Sequence, residues 1–211
     1  LGEHKTYKSI IGADLVENGY YAQIRGQRLE SDATKVFDLD ELSTASYDQK
    51  GWSAKFGSKQ DNHAYSLDYS YNEGRNFYVS CSNEDKDYNC LNYSNTAQDF
   101  NNESINLRGE IQFMPNWEVH ARVSQFKDEL NQLANSDFTH NKTQEAELYS
   151  KLKLTSTQTL LTGVTHRKIE GDIISYGTGY QDDNRSTGYY VQHQFQQDGL
   201  NTQLGLRLED D

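Results

Sequence analysis

The chain has 211 residues, of which 34% are hydrophobic and 12% aromatic, and its mean hydropathy is −0.94. So few apolar residues leave little material for a soluble core, yet 15 tyrosines and a single proline are unusual for a disordered chain. The net charge of −12 offers no basic stripe for phosphates and argues against nucleic acid as a partner. Aromatic and β-branched residues suit a pleated surface, so the composition favours strands.

Two hairpins are predicted in the first third of the chain. The first covers residues 6–30 and turns at 17–19, where Asn-Gly is a strong hairpin signal. The second covers 51–72 and turns at 60–62. In its arms, apolar and aromatic residues recur at every second position, as expected when they share one face of a strand.

The third hairpin, residues 102–126, has the clearest alternation. One face of its first arm is apolar and carries Ile105, Leu107, Gly109, Ile111 and Phe113. The residues between them are polar or charged, and Met114-Pro115-Asn116 supplies the turn.

Two further hairpins complete the set. One runs from Ala146 to about Ile169, although adjacent Leu160 and Leu161 leave the register of its return arm open. The last covers 189–209 and turns at Asp198-Gly199, another strong hairpin signal.

This pattern predicts an all-β fold: an antiparallel transmembrane β-barrel made of about ten long strands. Arms of about ten residues exceed the usual ~5–6 residues of soluble strands, and they suit a membrane wall with one apolar and one wet face. Short turns near 18, 61, 115, 156 and 198 would lie at one end. Long polar loops are predicted at the other end, at 31–46, 73–101, 127–143 and 171–186. A transmembrane helix is not predicted, because no run of about 18 apolar residues exists.

Cys81 and Cys90 lie nine positions apart in a polar segment. They predict a disulfide and an oxidising compartment, and no metal site is expected beside them. No enzyme activity is predicted, because phosphate-binding, dinucleotide-binding and zinc motifs are missing. The nearest catalytic candidates, His140 and Asp182-Asp183, have no specific spacing.

Two segments resemble TonB-dependent outer-membrane receptors. The first contains Arg185, Tyr190 and Gln192 and continues into Gly205-Leu206-Arg207-Leu208-Glu209-Asp210. The second, residues 72–104, resembles the cysteine-containing loop of vitamin B12-type receptors, with Asp99-Phe100-Asn101-Asn102-Glu103-Ser104 at its end. The glycine of that family motif is missing and asparagine replaces its central aspartate, so no calcium or other cofactor is predicted.

The resemblance implies a bacterial outer-membrane transporter of which residues 1–211 form a barrel portion, with a plug domain and further C-terminal strands outside them. It implies cobalamin as ligand, TonB as a partner through the plug, and membrane lipid around the barrel. Aromatic loop residues are the predicted ligand contacts: Tyr78, Tyr88, Tyr93 and Tyr176. The alternatives are a ferric-siderophore receptor, a complete small porin or adhesin barrel, and a soluble all-β binding module.

Overall fold

The computed structural model describes residues 6–35, 44–87 and 89–210. All the regular elements in these residues are β-strands. In chain order they are β1 (Tyr7–Glu17), β2 (Tyr20–Lys35), β3 (Thr44–Lys59), β4 (His63–Glu84), β5 (Cys90–Met114), β6 (Trp117–Gln132), β7 (Phe138–Lys153), β8 (Gln158–Ser175), β9 (Thr178–Gln197) and β10 (Leu200–Asp210). The described residues contain no helix that is long and apolar enough to cross a membrane.

The ten strands form a single antiparallel sheet in the order β1 to β10. Each strand pairs with its neighbours in the chain, which is the meander that the hairpin pattern predicts. Within the described strands, β1 pairs only with β2 and β10 only with β9, so the sheet is open. The prediction of an all-β meander of about ten long strands is confirmed.

Three two-residue turns share one backbone geometry. Both central residues have positive φ at Asn18-Gly19 (51° and 80°), Tyr176-Gly177 (50° and 76°) and Asp198-Gly199 (49° and 83°). This conformation matches the twist of antiparallel strands, and glycine adopts it without steric cost. The first and third turns were predicted from the sequence, whereas Tyr176-Gly177 falls inside a predicted long loop.

The prediction of long polar loops is wrong for most of the residues concerned. β4 continues to Glu84 and β5 begins at Cys90, so these strands contain 22 and 25 residues and take in most of 73–101. β6 to β9 likewise extend into 127–143 and 171–186. Both faces of these extensions carry polar residues, and the few apolar residues there, such as Leu130 and Ile173, do not alternate regularly. The backbone pairing nevertheless continues. Of the remaining predicted loop, 31–46, residues 36–43 lie outside the described residues.

The sheet has two chemically different faces, and the polar face is concave. Among the described residues, three side-chain hydrogen bonds reach across an intervening strand, and all three lie on this face. They join Tyr78 to Gln132, Tyr190 to Glu147 and Arg207 to Thr165. Side chains two strands apart approach each other in this way where a sheet curves toward them.

The convex face carries an exposed apolar belt that crosses all ten strands. Its members, one or two on each strand, are Leu15, Ile24, Phe56, Leu67, Leu107, Ile111, Val123, Leu148, Val164, Val191 and Leu206. Most of them are strongly exposed, for example Leu107 at 51% and Leu206 at 62%. A continuous apolar surface of this extent marks a contact with lipid or protein rather than with water.

The apolar belt crosses the strand pairing obliquely. One row of paired residues begins with apolar Ile24, Ala54, Tyr69 and Ile105 and ends with Gln125, Gln144, Lys168 and Arg185. On β9 the belt instead lies at Tyr189 and Val191, nearer the Asp198-Gly199 turn. The strands are therefore tilted relative to the belt, which is the geometry that a barrel wall requires.

Candidate functional site

The concave face is the candidate functional site, and its chemistry changes along the strands. The half near the Asn18-Gly19 and Asp198-Gly199 turns is charged, and we call it the charged floor. The half near the β4–β5 and β8–β9 tips is almost uncharged, and we call it the neutral wall. Alternation places both sets of side chains inward, because every second residue of a strand points to the same face.

Glu145 is the centre of the charged floor. One oxygen of Glu145 accepts a hydrogen bond from the Arg122 guanidinium. The other oxygen accepts bonds from Arg167 Nε at 3.0 Å and from Arg167 Nη2 at 2.8 Å. The Glu145 side chain is only 15% exposed. Arg122 also lies 3.4 Å from Glu147, which accepts a hydrogen bond of 3.2 Å from the Tyr190 hydroxyl. The network therefore ties β6, β7, β8 and β9 together from inside the curve.

Aromatic rings cover glycines on the same floor. A Cβ atom on Gly163 would lie 2.4 Å from the Tyr190 ring and 2.8 Å from Tyr149 Cβ. Both tyrosines are paired directly with Gly163 across β7, β8 and β9. The His120 ring stacks on Tyr149 at 4.4 Å, with 6° between the planes. Glycine is needed at position 163 because the tyrosine rings occupy the space of a side chain.

The charged floor encloses a cavity of about 480 Å³ that spans six strands, from Tyr21 on β2 to Tyr149 on β7. Within the described residues, Arg122 Nε is buried there without a hydrogen-bond partner, and buried His120 Nε2 has only the Glu118 carboxylate at 3.4 Å. Buried polar atoms of this kind normally bind water or another polar group. The floor is therefore a surface suited to a polar, hydrogen-bonding occupant.

The neutral wall carries amides, hydroxyls and aromatic rings. One row of paired residues contains Leu29, Gln49, Gly74, Phe100, Leu130, Thr139, Ile173 and Tyr180. The adjacent row toward the floor adds only two charges across eight strands, Asp128 and Asp182. Tyr78 donates to Gln132, and Gln132 in turn donates to Gln98 at 3.3 Å, so hydrogen bonds cross from β4 to β6. This wall offers stacking surface and neutral donors and acceptors, as small-ligand sites commonly do.

The structure does not bring the predicted ligand-binding tyrosines together. Tyr78 lies on the neutral wall. Tyr93 lies on the same hairpin but on its convex face, paired with Cys81. Tyr176 is at the tip of the β8–β9 hairpin and is 94% exposed, and Tyr88 is outside the described residues. Their role in ligand binding stays a prediction, and the position of Tyr93 on the convex face argues against its part in it.

The predicted disulfide is present at the tip of the β4–β5 hairpin. Cys81 and Cys90 are bonded, and their Cα atoms are 5.6 Å apart. Beside the disulfide, Asp85 Oδ1 accepts hydrogen bonds of 2.8 Å from the backbone amides of Asp87 and Asn89. A further bond from the Asn89 side chain is the largest cause that holds the pKa of Asp85 below its usual value. The tip is thus fixed covalently and by hydrogen bonds.

Metal binding finds no support in the part of the chain that the structure describes. No group of three or more His, Cys, Asp or Glu side chains is placed there to hold a metal ion.

Comparison with solved structures identifies the fold. The chain superposes on the F3-3 variant of the FrpB iron transporter from Neisseria meningitidis with a TM-score of 0.78 and 13% identity. It superposes on a mutant of the ferric enterobactin receptor PfeA from Pseudomonas aeruginosa with a TM-score of 0.66 and 10% identity. The matches cover 98% and 97% of this chain but only 39% and 36% of those proteins. No family model and no curated protein matches the sequence.

Most contacts within this site were not predicted from the sequence. The alternation predicted a polar face, but not which of its residues meet across the strands. The pairs of Gly163 with Tyr149 and Tyr190, for instance, join three strands. A signal was present in the isolated glycines inside strand patterns, because these often mark a close approach of neighbouring groups.

Proposed function

We propose that this chain forms part of the barrel wall of a bacterial outer-membrane transporter that imports a ferric chelate with energy delivered through TonB. The observation that carries the proposal is the two-faced sheet, with an apolar convex belt and a polar concave face. Its superposition on an iron transporter and a ferric enterobactin receptor supports the same function. The proposal that TonB delivers the energy rests on the sequence resemblance to TonB-dependent receptors.

The convex belt supports a location in the membrane. A transmembrane strand presents apolar residues to lipid at alternate positions, and its backbone groups bond to neighbouring strands. Leu107 and Leu206 follow this rule from widely separated strands. A soluble binding module would have to cover the same surface with protein.

Further strands of the same protein would complete the barrel at β1 and β10. Both edges are unpaired within the described sheet, and an open edge inside lipid leaves backbone groups without partners. The chain spans well under half of each solved structure that it matches. This proposal replaces the complete small porin or adhesin, which would need the ten strands to close on themselves.

The two halves of the concave face suit two different occupants. The charged floor would hold a plug domain, because Glu145, Arg122 and the cavity around them offer many charged hydrogen-bonding groups. The neutral wall would face the ligand as it enters from the tip end. We propose Tyr78, Gln98 and Gln132 as ligand-contacting residues on that wall.

A ferric chelate is favoured over cobalamin as the ligand. The two solved proteins that the chain resembles are named as an iron transporter and a ferric enterobactin receptor. No observation on the structure points to cobalamin. The siderophore alternative from the sequence is therefore the better supported ligand class.

The test uses the full-length protein in cells with and without TonB, supplied with radioactive iron as ferric chelates or with labelled cobalamin. We expect uptake of iron from a chelate only in cells that contain TonB. Tyr78→Ala is expected to weaken chelate binding by about two- to tenfold, the value of one or two lost hydrogen bonds. The matched control is Tyr93→Ala on the convex face of the same hairpin, which should leave binding unchanged.

Uptake of cobalamin but not iron would contradict the ligand class. Steady conductance by the purified protein in a planar bilayer, without an energy source, would favour a porin instead. If Tyr93→Ala weakened binding and Tyr78→Ala did not, the ligand would not contact the neutral wall.

A further inference from the structure

Four neighbouring strands carry a cation at the same height above the apolar belt. On the convex face of β6, Lys127 lies four positions beyond Val123, the last apolar residue in the direction of the tips. The same step leads from Ala146 to Lys142 on β7, from Val164 to Lys168 on β8, and from Tyr189 to Arg185 on β9. We call Lys127, Lys142, Lys168 and Arg185 the cation row.

The surface above the belt is layered on these strands. The positions between the belt and the cation row are polar: Gln125, Gln144, His166 and Thr187. Beyond the row, two positions further toward the tips, come Glu129, His140, Glu170 and Asp183. A molecule that approaches from the belt therefore meets the cations before it meets the acidic residues.

The cation row follows the belt and not the strand pairing. Between β7 and β8, Lys142 is paired with Glu170, while Lys168 is paired with Gln144, one step nearer the turns. The belt makes the same step, because Leu148 is paired with Val164 and Ala146 with His166. The positions of the cations are thus fixed relative to the apolar surface.

Pairing within the sheet does not explain the row. Lys127 stands directly opposite Lys142, and Lys168 directly opposite Arg185. Like charges in such positions destabilise a sheet. On β3 and β4, by contrast, the convex face pairs opposite charges at comparable height, with Lys50 opposite Glu73 and Asp48 opposite Arg75.

The neighbouring carboxylates neutralise the row only in part. Lys127 lies 2.9 Å from Glu103, and Arg185 lies 3.4 Å from Asp183. Lys142 and Lys168 share one partner, Glu170, at 3.3 and 2.6 Å. Four cations therefore have three acidic partners within 4 Å. An open groove of about 770 Å³ lies along them, and its side toward the tips is acidic, with Glu129, Asp172 and Asp183.

The backbone of the row lies just above the headgroup layer of a membrane, within reach of it for long side chains. Four residues of a strand tilted by ~40° rise about 10 Å above the last apolar residue. The polar layer of a bilayer leaflet is about 5–7 Å thick. Long lysine and arginine side chains extend back toward it while their alkyl stems cover the surface.

We propose that the cation row is a binding site, on the outside of the barrel, for a membrane lipid whose phosphate gives its headgroup a net negative charge. The lipid phosphate would lie along Lys127, Lys142, Lys168 and Arg185, with its acyl chains against the belt residues Val123, Leu148, Val164 and Val191. The site is distinct from the ligand surface, which lies on the opposite face of the same strands. It rests on the membrane location proposed above.

The experiment measures phosphatidylglycerol binding to the full-length protein, purified in neutral detergent, by native mass spectrometry. Two double variants remove half of the row each, Lys127→Gln with Lys142→Gln, and Lys168→Gln with Arg185→Gln. The matched control, Lys50→Gln with Arg75→Gln, removes two convex-face cations on β3 and β4. We expect each row variant to bind about tenfold more weakly and the control to stay within about twofold of the unchanged protein.

Raised salt should weaken binding to the unchanged protein, because exposed charges are screened. Unaltered binding by both row variants would overturn the proposal, and so would equal binding of phosphatidylcholine. If inorganic phosphate competed as strongly as the lipid, the site would take soluble anions, and the lipid proposal would also fail. Heat-induced band shifts on gels show whether each variant is folded, and Arg185→Lys, which keeps the charge, should bind as the unchanged protein does.

Failure of the membrane location gives a different result. In that case the full-length protein would not float with phosphatidylcholine vesicles in a density gradient, whatever the state of the cation row. Flotation of all variants together with unaltered phosphatidylglycerol binding would overturn the lipid site alone.

Discussion

The two faces of this sheet are built from the same strands, yet different forces organise them. On the convex face, residues are ordered by their height relative to the apolar belt, and most of them contact only their immediate neighbours. On the concave face, side chains such as Tyr78 and Tyr190 reach across a whole strand to a partner. The difference shows that an outer surface is specified by its solvent, whereas a curved inner surface is specified by packing and hydrogen bonding.

A charge placed in the middle of the belt tests this contrast most strongly. Leu107→Arg should destabilise the full-length protein, folded in lipid vesicles, by about 2–4 kcal/mol because the guanidinium would face hydrocarbon. Asn106→Arg, one position along the strand and on the concave face, should cost no more than about 1 kcal/mol. Urea unfolding in vesicles measures both variants, and equal losses would contradict the assignment of the two faces.

Ion pairs on the two faces should also contribute different amounts to the free energy of unfolding. Glu145→Ala on the charged floor removes a 15% exposed carboxylate that accepts from two arginines, so we expect a loss of about 1.5–3 kcal/mol. Asp99→Ala removes the 38% exposed partner of Arg75 on the convex face and should cost about 0–1 kcal/mol. The same unfolding experiment decides, and a larger loss at Asp99 would refute the comparison.

Two glycines offer a smaller test of packing. Gly163→Ala forces a Cβ atom to within 2.8 Å of Tyr149 Cβ, so we expect a loss of about 1–2 kcal/mol. A Cβ on Gly109, on the convex face of β5, meets nothing within 4 Å. Gly109→Ala should therefore be neutral, or stabilising by about 0.5–1 kcal/mol, since alanine has fewer unfolded conformations. A loss at both positions would indicate that strand glycines matter for reasons other than the tyrosine rings.

The smallest expected effect depends on pH and lies on the convex face beyond the belt. Hydrogen bonds from Lys50 and then from Tyr71 hold the pKa of Glu73 below its ordinary 4.5. A carboxyl whose folded pKa is depressed adds stability above its unfolded pKa and loses it as pH falls through the folded value. Protection of the amides around residue 73 from hydrogen exchange, taken relative to the intrinsic exchange rate at each pH, should fall below about pH 4.5, and Glu73→Gln should reduce that dependence. An unchanged pH profile in the variant would assign the effect to another group.

The strands were predicted correctly from the sequence where their two faces differ in polarity. Between Ile105 and Val123, alternation gave the strands, the turn and both faces correctly, because positions on the convex and concave faces differ sharply in polarity. Beyond residue 72 on β4 a loop was predicted, because polar residues occupy both faces of the extension and its apolar residues do not alternate. Tyr176-Gly177 was missed as a turn for the same reason, since no apolar alternation frames it.

The sequence by itself determined which residues form the apolar face, where Asn18-Gly19 and Asp198-Gly199 reverse the chain, and which cysteines pair. These features are local, because they depend on positions close together in the chain and on the conformational freedom of glycine. Only the tertiary structure decided the tilt of the strands, the contacts of Glu145 and Gly163, and the alignment of the cation row. Those features depend on the register between neighbouring strands and on the curvature of the whole sheet, which no single segment of the sequence contains.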